Sequence, residues 1–289
     1  MHGALAIVGA GRVGRAIGRR LRDLGWPVGA VVARSEGSAR RATRFIGGGT
    51  PHAAIPRHIV ASSVILIATP DRVIGKAARE LARVGGEELR GKIVLHTSGA
   101  LDSSVLKSLR RLGASVGSMH PLQTFGAVGV PPLDGRLFAI EGETKAVKVA
   151  RQIARLLGGI PQTIAARDKP LYHAAGAFAA GHTLVIVESA VQLLMSIGLK
   201  RSEATRALVP MTELVLKNYV RLGPRVAWTG PLSRGDLAVV SQHRVALRKV
   251  SHEYDGAYDA LNRLAAPVFR VAGRAKLAAS NKKLAKKKN

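Results

Sequence analysis

Apolar and polar positions along the chain fall into two regimes. In the first, short apolar runs alternate with stretches whose apolar residues recur at helical spacing; beyond Lys169 only the helical spacing remains. The runs at residues 5–8, 28–32, 63–69, 92–96 and 115–119 predict buried strands, with shorter ones at 137–140 and 163–164. Between them, Ile17, Leu21 and Leu24 mark a first helix, residues 72–84 another, Val105, Leu106 and Leu109 a third capped near Asp102, and residues 144–157 a fourth. The second regime predicts four helices at about 171–199, 202–222, 234–250 and 254–277, with Gly198 and Gly223-Pro224 as stops. Strands alternating with helices argue for a mostly parallel sheet, which binds ligands beyond the carboxyl ends of its strands.

The first strand runs into Gly9-Ala10-Gly11-Arg12-Val13-Gly14 and then directly into the first helix. Gly9 serves the tight turn, Gly11 lets backbone approach a pyrophosphate, and Gly14 lets helix and strand pack closely. The unpaired N–H groups at the helix start, from Arg12 and Val13 on, would hold the phosphates. Some 20 residues further, an acidic side chain would bond a ribose 2′-OH, whereas Arg accommodates a 2′-phosphate. Arg34 and Ser35 stand there, so the expected cofactor is NADP(H) rather than NAD(H). Thr69 and Pro70 end the third strand and belong to the same site. The fold class is therefore α/β: an N-terminal Rossmann dinucleotide-binding domain over residues 1–166, an all-α domain over 167–275, and a basic tail at 276–289.

Charge changes the picture less than its size suggests. The chain has 45 Lys and Arg against 18 Asp and Glu, a net +27 over 289 residues. Nine of those cations follow Asp259, which no acid follows, and the low apolar content of the tail predicts disorder. The tail could touch nucleic acid or anionic lipid by counterion release, but no nucleic-acid motif accompanies it and aromatic content is only 4%. Cysteine is absent, which removes disulfides, thiolate metal sites and a cysteine nucleophile; no His/Asp/Glu grouping has ligand spacing, so no metal is expected. The N-terminus carries no signal-like segment, and Glu188 and Gln192 interrupt the apolar run from Leu184 to Ile197. A soluble, cytoplasmic protein is expected.

Six motifs together resemble one group of proteins. They are the glycine turn, Thr69-Pro-Asp71, His96-Thr-Ser-Gly-Ala100, Ser118-Met-His-Pro-Leu-Gln-Thr-Phe125, Asp168-Lys-Pro-Leu-Tyr-His-Ala-Ala175 and Thr229-Gly-Pro-Leu-Ser-Arg-Gly-Asp236. They are similar to bacterial Rossmann-like proteins with a C-terminal helical domain of unknown function, over the chain from its start to about Tyr258. Wider relatives are ketopantoate reductase, pyrroline-5-carboxylate reductase, prephenate dehydrogenase and the 3-hydroxyacid dehydrogenases, with a helical domain like that of 6-phosphogluconate dehydrogenase. The resemblance implies hydride transfer between NADPH and a small acid in a cleft between two domains. His120-Pro121 resembles the His-Pro segment of prephenate dehydrogenases, and His173 falls where ketopantoate reductases carry a catalytic lysine. Gly181 stands where the group usually has asparagine.

Reducing a ketone or imine requires a proton donor at the oxygen or nitrogen as hydride arrives, and groups that hold a substrate carboxylate. His173 is the first choice for the donor and His120 the second, because imidazole exchanges a proton near neutrality. His96 could instead lie buried, bonding backbone beneath the site. Thr97, Ser98, Lys169 and Arg234 are the candidates for binding a carboxylate, Arg234 alternatively pairing with Asp236 in its own turn. The expected function is an NADP-dependent oxidoreductase acting on a small carboxylate-bearing carbonyl or imine compound, with a ketopantoate-type 2-oxo acid as one choice; the alternative is a non-catalytic NADP-binding or regulatory protein. Broad apolar faces on the second-domain helices predict a homodimer.

Overall fold

The computed structural model describes residues 3–126 and 129–269. The expected basic tail, and the end of the last predicted helix, lie outside the described residues. The chain divides into two compact units, one ending at Thr183 and the other starting at Leu184.

The first unit contains, in order, β1 (Leu5–Val8), α1 (Arg12–Asp23), β2 (Val28–Val32), α2 (Glu36–Ile46), β3 (Thr50–His52), β4 (Val64–Ile67), α3 (Asp71–Gly85), β5 (Ile93–His96), α4 (Lys107–Arg110), β6 (Ser115–Pro121), β7 (Leu137–Gly142), α5 (Thr144–Leu156), β8 (Ile160–Thr163) and α6 (Lys169–Ala177). The strands form one sheet in the order β3-β2-β1-β4-β5-β6-β7-β8. Every neighbouring pair is parallel except β6 and β7. Among the described residues no helix separates that pair, and without a crossover the chain can only return antiparallel. Alternate residues of each central strand feed opposite faces. Leu5, Ile7, Val64 and Leu66 pack with Ile17 and Leu21 of α1, Ile46 of α2 and Ile153 of α5; Ala6, Val8, Ile65 and Ile67 pack with Ile74 and Leu81 of α3. Burial on both faces is why these strands read as unbroken apolar runs.

The edges depart from the expected pattern. β3 was not anticipated, because Thr50-Pro51-His52 has no apolar alternation; Pro51 is tolerated there on an outer strand. β8 lies a few residues before the expected 163–164, since an exposed edge strand carries little hydrophobic signal. β6 runs on to Pro121, so His120 sits inside the strand, opposite Ala139 of β7. Both edge effects leave the central strand ends, where ligands of such sheets bind, unchanged.

α6 continues through a π-helical turn, Phe178–His182, into α7 (Thr183–Ser196). By length and composition alone, the helical stretch Ala166–Ser196 is long and apolar enough to cross a membrane. The second unit adds α8 (Arg201–Leu222), α9 (Pro224–Ala227), α10 (Pro231–Arg234), α11 (Leu237–Val250) and α12 (His252–Phe269). The helix expected from residue 234 starts at Leu237 instead, because Gly235 at φ +79° closes the short turn that holds Arg234. Val191, Ala204, Leu232 and Val240 are buried in this unit, while Leu184, Val185, Met211, Leu214, Leu216 and Val220 are exposed. Between α11 and α12, Asp255 is gripped by Arg244 (2.7 Å) and Arg248 (2.6 Å).

Candidate functional site

A cavity of about 660 Å³ opens beyond the carboxyl ends of β1, β2 and β4. Gly9, Gly11, Arg34, Thr69 and Pro70 line it, together with Ser38, Arg72 and Lys76. Each glycine performs a separate task. Gly9 has φ +92°, and a Cβ there would lie 2.6 Å from Thr69 Cγ2. A Cβ on Gly14 would lie 2.6 Å from the Gly9 carbonyl oxygen and 3.1 Å from Ala68 Cβ, so helix and strand touch at that point. A Cβ on Gly11 would meet no protein atom within 4 Å. The protein thus leaves Gly11 bare toward open space at the start of α1, where unpaired N–H groups favour an anion. Thr69 Oγ1 is buried among the same residues without a hydrogen-bond partner. A buried hydroxyl left unpaired costs about 1–3 kcal/mol, which a ligand contact would relieve. These features fit a dinucleotide, which Gly9, Gly11 and Thr69 would hold on the phosphate side and Arg34 on the side of β2.

Ser35 does not line the cavity. Its hydroxyl caps α2, accepting from Ser38 N at 3.3 Å and donating to Ser38 Oγ at 3.0 Å, so the serine facing the cavity is Ser38. Arg12 and Val13 open α1 beside the glycines, and Arg12 Nη1 reaches the Phe125 carbonyl at 3.5 Å.

The second group of residues gathers at the ends of β5 and β6 and the start of α6. His96 is fully buried: its Nδ1 accepts from Ser98 N at 3.2 Å and its Nε2 donates to the Asp102 carbonyl at 3.1 Å. Burial, with the Lys169 charge nearby, pushes it down to about 4, so it stays neutral and supports the loop from below. Gly99 is pressed between two imidazoles. A Cβ on it would lie 2.5 Å from His173 Cδ2 and 3.0 Å from both Cε1 and Nε2 of His120. The two rings stand edge to face with centroids 5.8 Å apart. On its other side, His120 Nδ1 meets the Tyr172 hydroxyl at 2.8 Å. Burial, then the neighbouring His173 and Lys169, pushes His120 down to about 4, and burial raises Tyr172 above its ordinary range. At neutral pH this corner holds a neutral imidazole and an intact phenol.

Three expected carboxylate binders are committed elsewhere. The Ser98 hydroxyl donates to Asp71 Oδ2 (2.9 Å) and accepts from Ala100 N and Leu101 N (3.2 and 2.9 Å), so it shapes the loop rather than facing a substrate. Its bond to Asp71, in the first turn of α3, ties this loop to the wall of the glycine cavity. Lys169 is fully buried and donates to the Ser98 carbonyl (3.0 Å) and Ser118 Oγ (2.9 Å). Burial lowers it to about 8, against the carboxylates of Glu141, Asp102 and Asp71; it is an internal strut joining α6 to the sheet. Through Lys169 and Tyr172 the first unit extends beyond Ala166, where the sequence pattern changes. Arg234 belongs to the second unit and pairs with Asp236 at 3.1 Å, the local alternative foreseen for it. Thr97 is buried at the end of β5, its N–H on the Ile67 carbonyl.

Tyr172 was the residue sequence reasoning passed over. The signal was available, since Lys169, Tyr172 and His173 are spaced three and four apart and share one helix face. Ser38, Arg72 and Lys76 carried no comparable signal, being single polar residues on amphipathic helices.

Comparison with known proteins matches residues 2–121 to the Rossmann-like domain and residues 136–265 to the Domain of unknown function (DUF2520). No curated protein sequence matches the chain. Among solved structures, a candidate NADP oxidoreductase from Bacteroides fragilis is similar at 20% identity and TM-score 0.73, over 91% of this chain and 97% of that one. A reductive aminase from Aspergillus terreus, in complex with NADPH and ethyl-5-oxohexanoate, gives 20% and 0.69 over 94% and 96%. A pyrroline-5-carboxylate reductase from Coxiella burnetii gives 15% and 0.58 over 91% and 98%. At these identities the likeness is one of fold, and it runs the length of each protein. Along the chain, a match to the Rossmann-like domain is thus followed by a match to the Domain of unknown function DUF2520.

Proposed function

We propose that the protein is an NADP(H)-dependent oxidoreductase that reduces a small carbonyl or imine compound. The single observation carrying this reading is the cavity in which Gly11 is bare toward open space, Thr69 Oγ1 is buried unpaired, and Arg34 stands at the end of β2. The similar structures include an NADPH-bound reductive aminase and a pyrroline-5-carboxylate reductase, which agree with that chemistry. When bound, NADPH supplies the hydride. The chain's own task is to stabilise, by hydrogen bonding, the oxygen or nitrogen that gains electrons while its proton comes from solvent, and His120 and His173, both beside Gly99, are the groups proposed for it. A neutral imidazole suits the task as an N–H donor at the developing charge.

With Lys169 and Ser98 committed inside the protein, a substrate carboxylate is not what these two residues recognise. The test is a panel of 2-oxo acids, including a ketopantoate-type acid, their esters, ketones offered with amines, and cyclic imines, followed by NADPH absorbance. Oxidation of NADPH with at least one compound, lost in the double variant His120→Ala/His173→Ala, is the expected result. NADPH binding without oxidation across the panel would favour a regulatory NADP-binding protein.

We further propose that a second copy of the chain covers the apolar helices. Val220 is 85% exposed and Leu184 70% exposed, and the exposed apolar residues extend over α7 and α8. A membrane is the poorer occupant, because Glu188, paired with Arg201 at 2.7 Å, lies within this surface and Glu213, Lys217 and Arg221 punctuate α8. Sedimentation at micromolar concentration without detergent should give a dimer; a monodisperse monomer, or a protein recovered only with detergent, would contradict this.

A further inference from the structure

We infer that Tyr172 is a positioning residue that holds His120 in the tautomer with its proton on Nε2, the ring edge turned toward Gly99. A phenol has one proton to give and two acceptors within reach here, His120 Nδ1 at 2.8 Å and the His120 carbonyl at 3.4 Å. The shorter contact has the length of a good hydrogen bond and the longer one does not. Given to Nδ1, the proton makes that atom the bare nitrogen of a neutral ring; the reverse arrangement, with Nδ1–H donating to the phenol oxygen, would leave the phenol proton only the 3.4 Å carbonyl and is the weaker of the two. Burial keeps the phenol protonated and the imidazole uncharged, consistent with this arrangement. The ring is further restrained by edge-to-face contacts with Tyr172 at 5.6 Å and His173 at 5.8 Å.

The remaining nitrogen, Nε2, is the one closest to Gly99, where a Cβ would lie 3.0 Å away. The absence of a side chain at Gly99 leaves room for Nε2 beside the loop that follows β5. Fixing the other nitrogen is how proteins choose which imidazole nitrogen acts. The consequence for catalysis rests on the proposed oxidoreductase reading: Tyr172 would make His120 a donor, not an acceptor, toward a substrate. The tautomer itself does not depend on that reading.

The experiment is a long-range proton–nitrogen correlation spectrum of the full chain labelled with nitrogen-15 histidine at pH 7, with His120→Asn to assign the ring. The expected wild-type spectrum shows His120 as the Nε2–H tautomer, and Tyr172→Phe shows a mixture of both tautomers. Replacing the tyrosines with 3-fluorotyrosine, which sharpens the phenol as a donor at almost the same size, should shift the Nδ1 resonance of His120. That measurement stands in where Tyr172→Phe fails to fold. An Nδ1–H tautomer in the wild type, an unchanged population in Tyr172→Phe, or an Nδ1 resonance indifferent to fluorination would each overturn the inference. None of these readouts involves NADPH, so the inference and the oxidoreductase reading fail separately.

Discussion

Gly11→Ala should fold as the parent does and bind NADPH about tenfold to a hundredfold more weakly. The added methyl meets no protein atom within 4 Å, and the residue caps α1 at φ −74°, a backbone conformation alanine adopts freely. Its cost to stability is therefore small. The methyl would instead occupy the space through which a pyrophosphate approaches the helix start, and an overpacked contact costs about 1–3 kcal/mol. At 1.4 kcal/mol per decade that is the stated loss. Gly14→Ala provides the contrast: its methyl would strike the Gly9 carbonyl at 2.6 Å, so it should lower the melting temperature as well as binding. Calorimetric titration and thermal melts of both variants separate the two cases. Normal NADPH binding by Gly11→Ala would mean that the phosphates do not pass this residue.

Asp255→Ala should destabilise the second unit by about 3 kcal/mol, toward the low end of what breaking a buried ion pair costs. The Asp255 side chain is 10% exposed and faces Arg244 and Arg248, and Arg244 also pairs with Asp259 at 2.9 Å. Removing the carboxylate takes from Arg244 and Arg248 the largely enclosed group they share, although Arg244 keeps its pair with Asp259. Arg234→Ala, which breaks the open Arg234–Asp236 pair, should cost less than about 1 kcal/mol. Urea unfolding measures both. The pH dependence has a definite sign. Hydrogen bonds from Arg244 and Arg248 hold the Asp255 carboxyl at about 2, below its ordinary 3.8. Its stabilisation is therefore complete above pH 3.8 and is lost as pH falls through about 2, so the gap between wild type and Asp255→Asn should close over that interval.

The central sheet was readable because buried parallel strands have no polar face to interrupt their apolar runs, and the glycine turn because its three positions are fixed by sterics. β3 was not, and β8 was read a few residues late, since edge strands bury little. At the histidine site, sequence placed His120 just past a strand that in fact runs on through it, and His173 at a helix start, but it assigned charge by residue type alone. Lys169 looked like a carboxylate binder because lysines usually face water. In the structure its chain passes under the loop, and its ammonium finds the Ser98 carbonyl and Ser118 Oγ. Ser98 and Ser35 were misjudged for a related reason: a serine at a loop or helix start often serves the backbone first. Such commitments depend on where a carbonyl or N–H lies in three dimensions, which spacing along the chain does not encode.

The most direct test is calorimetric titration of the wild type and Arg34→Ala with NADPH and with NADH. If Arg34 and Ser38 receive the 2′-phosphate, wild type should bind NADPH more tightly than NADH, each charge-assisted hydrogen bond contributing about 1.5–3 kcal/mol. Arg34→Ala should lose about tenfold to a hundredfold for NADPH and almost nothing for NADH. Equal binding of the two cofactors by the wild type, binding of neither, or a parallel loss for both in the variant would contradict the account.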